Sequence, residues 1–379
     1  MMSTYAFRFN SATVERHAPL ALGLAALQLL ACAAHPTHES VSRAQPGSLT
    51  VGASRVQPIH ADTLFSAGQS AALTGWEGSP ERLRDDYCRG CHASVHAAWS
   101  AGMHARAWTD PLFEAAFRLE PKPWCRNCHA PLLAQHTGDV ALAEGINCAA
   151  CHVREGRIVG ESALSATTRG HAVHAVADFS GAALCAGCHQ FQFPHTSSAA
   201  MQNTIAEWRA SNVAPCGTCH FEGHRWRGPH DPAWLARLVR GAQIEALDGG
   251  LSSLRVELAA RGHSLPTGDL FHSFVLELST SADFAQPIAS ARYGREFGAK
   301  LDPKQVSTRL LLRDTTVPSS SPALTLTFDT PAQTQLFARL RYFLHDSVFN
   351  DESSRDSGTS STIWSARLEL SPARAPQKN

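Results

Sequence analysis

Cys88-Arg-Gly-Cys91-His92 opens a series completed by Cys125-Arg-Asn-Cys128-His129, Cys148-Ala-Ala-Cys151-His152, Cys185-Ala-Gly-Cys188-His189 and Cys216-Gly-Thr-Cys219-His220. Cys-x-x-Cys-His is the attachment signature of c-type haem. Cysteines three apart on a helical turn share a face, so each can form a thioether to one haem vinyl group. The adjacent histidine then meets the iron as proximal ligand. A zinc site or a disulfide framework also uses paired cysteines, but neither demands the histidine. With 20 His in 379 residues, its recurrence after all five pairs by chance is on the order of one in a few million. Five covalently bound haems, with their iron, are the expected cofactors.

The spacing decides the architecture. Successive first cysteines are 37, 23, 37 and 31 residues apart, and the stretch from Cys88 to His230 spans only 143 residues. That is too little chain for an ordinary apolar core beside each porphyrin, so the haems must themselves form the core. Ser94 to Ala107, Asp110 to Leu119, Met201 to Ser211 and Ala233 to Val239 read as helices, with loops between. From about 242 the texture changes to period two: Leu254, Val256, Leu258; Leu324, Leu326, Phe328; Leu336, Ala338, Leu340, Tyr342; Ala366, Leu368, Leu370. Such alternation, broken by Gly, Pro, Asp and Ser, argues for half-buried antiparallel strands. The expected fold is α+β multidomain: a haem-packed, mostly helical and loop cytochrome c domain (76–240), then an antiparallel β-sandwich (241–372) and a short tail (373–379). The β-domain contains no cysteine and so attaches no haem.

Eleven cysteines less the ten of the motifs leave Cys32. It closes Pro19-Leu-Ala-Leu-Gly-Leu-Ala-Ala-Leu-Gln-Leu-Leu-Ala-Cys32, an apolar run preceded by Arg8 and Arg16 and too short to span a bilayer. Residues 1–31 read as a signal peptide, and Leu29-Leu30-Ala31-Cys32 resembles a bacterial lipobox whose cysteine is lipidated. Ala33, in place of Asp, is similar to the outer-membrane sorting rule. An exported periplasmic or outer-membrane lipoprotein, anchored to the membrane through residues 32–75 as a flexible tether, is expected. A formal charge of zero and a pI near 7.3 offer no basic stripe for nucleic acid. The 33 basic residues include only four lysines, Lys122, Lys300, Lys304 and Lys378; arginine can fork onto haem propionates.

Each iron needs a sixth ligand or an open site, which separates a carrier from an enzyme. After Cys32 only Met103 and Met201 remain as methionines, against fourteen histidines outside the motifs. Bis-histidine iron is therefore expected at most sites. His104, His224 and His230 are the leading candidates, followed by one of His171 and His174, three apart. His96, His136 and His195 are weaker, and His35, His38 and His60 fall in the tether.

Several segments carry a family resemblance. Cys88-x-x-Cys-His-x(6)-Trp99-x(4)-His104, Gly145-Ile-Asn-Cys148-x-x-Cys-His, Cys185-Ala-Gly-Cys-His-Gln190-Phe191 and Met201-Gln-x-Thr204-x-x-Glu207-Trp208-x-x-Ser211 resemble bacterial multihaem cytochromes of the cytochrome c554 / c552/4 type. The resemblance spans about 88 to 231 and continues into Gly262-His263-Ser-Leu-Pro266-Thr267-Gly268-Asp269. It makes His263 either a haem ligand reaching back from the β-domain or a turn histidine, with His272 a second choice. Family members of this kind mostly shuttle electrons between redox partners, such as other cytochromes or quinol-linked donors; several relatives act on small nitrogen or sulfur compounds. Ammonia-forming nitrite reductases also carry five haems, with the catalytic one usually attached through Cys-x-x-Cys-Lys, and no such motif occurs here. Hydroxylamine-oxidising relatives use a cross-linked tyrosine, and none of Tyr87, Tyr293 and Tyr342 stands in that context. The expectation is an electron carrier, with an open-site haem oxidoreductase as the alternative.

Overall fold

The computed structural model describes residues 80–154, 157–164, 171–177, 179–192, 200–211, 213–259, 262–301, 307–345 and 360–370. The expected export signal with Cys32, the tether with His35, His38 and His60, His195 and the C-terminal tail lie outside them.

From residue 80 to 238 the chain forms short helices. They are α1 (Asp85–Arg89), α2 (Ala93–Ser100), α3 (Pro111–Leu119), α4 (Arg126–His129), α5 (Leu133–Thr137), α6 (Cys148–His152), α7 (Ala182–His189), α8 (Thr204–Ser211), α9 (Cys216–His220) and α10 (Pro232–Leu235). The longest, α3, has nine residues, below what an isolated helix sustains in water, so each depends on its surroundings. At α3 the Asp110 carboxylate accepts from the Leu112 and Phe113 amides, both at 3.1 Å, and Pro111 occupies the first turn, a favoured start.

Three helix readings need correction. The segment expected to stay helical to Ala107 stops at Ser100: Gly102, a poor helix former, donates its amide back to Trp99 O at 2.8 Å and the chain breaks into turns. Met201 lies on a strand, Ala200–Gln202, paired with Phe191–Gln192, so α8 begins only at Thr204. Val239 opens a strand; the helical stretch before it is α10 with a tighter turn over Ala236–Leu238.

The remainder is antiparallel sheet: β1 (Val239–Ala246), β2 (Leu251–Leu258), β3 (Ser273–Ser279), β4 (Ala289–Leu301), β5 (Ser307–Asp314), β6 (Ala323–Asp329), β7 (Gln335–Phe343) and β8 (Ser360–Glu369). One sheet has the order β5-β4-β3-β7-β8, the other β6-β2-β1. Leu254 and Val256 of β2, Leu324 of β6, and Leu336 and Leu340 of β7, all from the alternating runs, are fully buried and share one core with Phe274 and Leu276 of β3. Leu254 lies opposite Leu326, and Leu276 opposite Leu340. Strand β3 escaped the period-two reading because it is buried on both faces at nearly every position, the pattern of a central strand. The fold is thus α+β, helices and turns followed by antiparallel sheets.

Burial is uneven. The sheets, with Leu235 of α10, share a core of eighteen buried apolar residues. Between residues 80 and 238 the described residues otherwise offer Leu83, Leu132, Ala134, Val140, Ala149 and Val153 in one cluster, Ala182, Ala186 and Ile205 in another, and Ala130, Val159 and Phe191 buried singly.

Candidate haem sites

Each attachment motif lies on or against a helical turn. Four fall within α4 with the residue before it, α6, α7 and α9; the first straddles the end of α1, where the His92 amide donates to the Cys88 carbonyl at 2.9 Å. All ten motif cysteines are free thiols, as thioether formation requires.

Three of the motif histidines are oriented by carbonyls that return to them. His152 Nδ1–H donates to Val159 O at 2.9 Å, carried back by the hairpin of Val153–Arg154 with Arg157–Gly160. His220 Nδ1–H donates to Arg227 O at 2.8 Å, after the hairpin of Phe221–Glu222 with Arg225–Trp226. His129 Nδ1–H donates to Ala107 O at 2.6 Å. A bonded Nδ1 sets the tautomer that leaves Nε2 bare for a metal.

Four of the five proximal rings face a second histidine ring at nearly one separation. Centroids are 6.1 Å apart for His92 and His171, 6.4 Å for His104 and His189, 6.1 Å for His152 and His224, and 6.0 Å for His220 and His263. A metal–imidazole bond of about 2 Å on each side, with each centroid roughly 1 Å beyond its nitrogen, sets axial ligands about 6 Å apart. The residues present therefore fit haem iron.

Burial also holds these rings in the neutral form that can ligate. Burial, with nearby His189 adding to it, pushes His104 down to about 4. Burial likewise lowers His152, His189, His220 and His224.

The histidines that face them arrive by different devices. His104 sits in the turns after α2. Its carbonyl accepts from the Ile146 amide at 2.9 Å, and the Trp99 indole donates to Ile146 O at 2.9 Å. Gly145 makes that approach possible: at φ 57°, a Cβ there would lie 2.6 Å from His104 O. Next to it, Asn147, 1 % exposed, caps α6 by accepting from the Ala150 amide at 3.2 Å and donates to Leu83 O at 2.8 Å. Gly145→Ala is expected to destabilise the holoprotein by about 1–3 kcal/mol, read as a lower thermal midpoint with a rising high-spin fraction as His104 shifts. His224 occupies the hairpin turn with Gly223, at φ 74° and 54°, the paired positive φ of a type I′ turn and one of the few such positions a histidine takes.

Other histidines are brought elsewhere. His174 lies on a short strand beside Val159 and is in none of the four pairs; of the two histidines three apart, His171 is the one facing a proximal ring. His96 Nε2 meets Asp85 Oδ2 at 2.9 Å, and His136 Nε2 meets Ala130 O at 2.9 Å, so both use the nitrogen a ligand would need. His230 is set among Asp110, Arg106, Asp269 and His272. His272, the second choice by sequence, is half-buried with Nδ1 donating to Thr267 O at 3.2 Å.

His129 differs from the other four. Among the described residues no histidine ring stands at the axial separation from it. Phe113 of α3 instead stacks on its face, centroids 3.6 Å apart and 11° from parallel.

The attachment turns meet out of sequence order. The sulfurs of Cys88 and Cys148, of Cys128 and Cys188, and of Cys185 and Cys216 lie side by side, and Cys151 lies near Cys188. First neighbours third, second neighbours fourth, third neighbours fourth and fourth neighbours fifth.

The family model described as Cytochrome c554 and c-prime matches residues 87–153, the span of the first three attachment motifs. Among solved structures, a penta-haem cytochrome c552 from Thermochromatium tepidum is similar to this chain, with a TM-score of 0.62 and 17 % identity over 77 % of this chain and 100 % of that one. At that identity the likeness is one of fold. No curated protein matches the sequence. The resemblance to multihaem c-type cytochromes stands on the matched segment and the shared fold, and covalently bound c-type haem is the cofactor that the attachment turns fit.

Proposed function

We propose that this chain carries five c-type haems and relays single electrons through them, with four irons held by the pairs His92/His171, His104/His189, His152/His224 and His220/His263. The observation carrying this reading is the common 6.0–6.4 Å separation of four ring pairs, each containing one motif histidine. Iron saturated by two imidazoles exchanges electrons rather than binding substrate. The neighbouring attachment turns support a route running first, third, fourth, fifth, with the second haem branching from the fourth. The two sheets around one core read as a β-sandwich, which lends His263 to the last haem of that route and covers that end. The exported lipoprotein form, anchored at Cys32 and meeting redox partner proteins at the membrane, belongs to the same proposal and rests on the N-terminal sequence.

A second reading is favoured by His129 alone. Lacking a facing histidine ring among the described residues, its haem is the candidate for an open site, and with it a reductase or oxidase acting on a small nitrogen or sulfur compound. Electron paramagnetic resonance of the oxidised holoprotein, with carbon monoxide difference spectra after reduction, tests both. Four low-spin bis-histidine haems are expected, and fewer overturn the ring-pair assignment. A fifth haem inert to carbon monoxide supports the carrier; one equivalent of bound carbon monoxide supports the open site.

A further inference from the structure

Glu207, Asn203 and Gln190 are polar residues at the seam between the helical segment and the sheets that electron relay leaves unexplained. Glu207 lies on α8, before the fifth attachment motif; His263 lies beyond it, in the loop entering β3. Glu207 Oε2 accepts from the Ser264 amide at 3.1 Å and from the Thr267 hydroxyl at 2.7 Å, gripping the loop just beyond His263 at two points. Thr204, also on α8, meets Thr267 at 2.9 Å. The other carboxylate oxygen accepts from Asn203 Nδ2 at 3.4 Å. Asn203 Oδ1 in turn accepts from Gln190 Nε2 at 3.3 Å, and Gln190 Oε1 accepts from the Ala206 amide at 2.9 Å. Gln190 directly follows His189, so an unbroken chain of hydrogen bonds runs from the fourth attachment motif to the loop bearing His263.

The loop needs such a grip. Gly262, at φ 107°, sits where a Cβ would lie 3.1 Å from the Val213 side chain, so the loop is threaded tightly over the segment between α8 and the fifth motif. His263 Nδ1–H donates only to its neighbour's carbonyl, Ser264 O, at 2.8 Å. Its ring is therefore oriented by the loop itself, and the loop is held by Glu207. Charge-assisted hydrogen bonds to a carboxylate are the stronger kind, and residues behind a metal-ligating histidine fix its aim.

We propose that Glu207 is the positioning residue that holds His263 over the fifth haem, with Asn203 and Gln190 orienting its carboxylate. This rests on the reading of His263 as a distal ligand. Glu207 touches no iron; it acts through the His263 loop.

The test compares holoproteins of His263→Ala, Glu207→Ala, Glu207→Gln and Thr267→Val, each checked for full haem content, by electron paramagnetic resonance and carbon monoxide titration. His263→Ala is expected to yield one additional high-spin, carbon monoxide-binding haem. Glu207→Ala should convert the same haem in a large fraction of molecules, Thr267→Val in a smaller one, and Glu207→Gln, which keeps an acceptor oxygen, should restore most of the low-spin form. The double variant His263→Ala/Glu207→Ala should gain no further high-spin haem. If His263→Ala gives the new signal while Glu207→Ala and Thr267→Val stay fully low-spin, the positioning role is overturned and the ligand reading stands. If His263→Ala itself changes nothing, both fall.

Discussion

Produced without haem, the chain is expected to lose its structure between residues 80 and 238 while the sheets of 239–370 stay folded. The helical segment's two small clusters of buried apolar side chains, several of them alanines, cannot offset an ordering cost of about 1–2 kcal/mol per residue, given roughly 1.5–3 kcal/mol for each large apolar side chain buried. Its helices of four to nine residues have no stability of their own. Residues 239–370 supply seventeen of the eighteen buried apolar residues of one core and need no cofactor. Far-UV circular dichroism should therefore lose its helical component while the β signal remains, and limited proteolysis should leave a resistant fragment beginning near Val239. A protease-resistant segment from 80 to 238 in the haem-free chain would show that the polypeptide, not the porphyrins, supplies that core.

The second large effect is expected at His104. Its ring faces His189 at 6.4 Å, on the haem whose attachment turn lies beside three of the others. His104→Ala should add one high-spin haem that binds one equivalent of carbon monoxide and should slow equilibration of electrons across the protein. His104→Met should return that haem to six-coordination with its potential raised by on the order of 0.1 V, since a thioether favours reduced iron more than an imidazole does and axial ligands tune haem over a range of about 0.8 V. Potentiometric titration of the two variants measures it. An unchanged low-spin spectrum in His104→Ala would remove His104 from the iron and break the pairing with His189.

The Cys-x-x-Cys-His copies were legible from the sequence because the chemistry is local: two thioethers and a proximal nitrogen must come from one turn, so five consecutive residues record the site. The strands around Leu254, Leu324 and Leu336 were legible for a similar reason, since one buried face imposes alternation. Strand β3 was not, because a central strand covered on both faces alternates with nothing. A helix start also failed where a distant contact decides it, at Met201, which pairs as a strand with Phe191–Gln192.

The histidines outside the motifs show the division most sharply. His96, His104 and His136 each follow an attachment motif, and the sequence only ranks His104 above the other two. Tertiary structure separates them through one nitrogen: Nε2 of His96 is taken by Asp85 and that of His136 by the Ala130 carbonyl, whereas His104 faces His189 across 85 residues of chain. The gripping of the His263 loop by Glu207 is likewise invisible along the chain, though the Thr204, Glu207 and Thr267 it uses stood in the motifs. The sequence by itself determined the five attachment turns, their places and how little chain lies between them. Which histidine rings face one another, and which attachment turns are neighbours, was decided by the fold, because those pairings join residues that only long-range packing brings within reach.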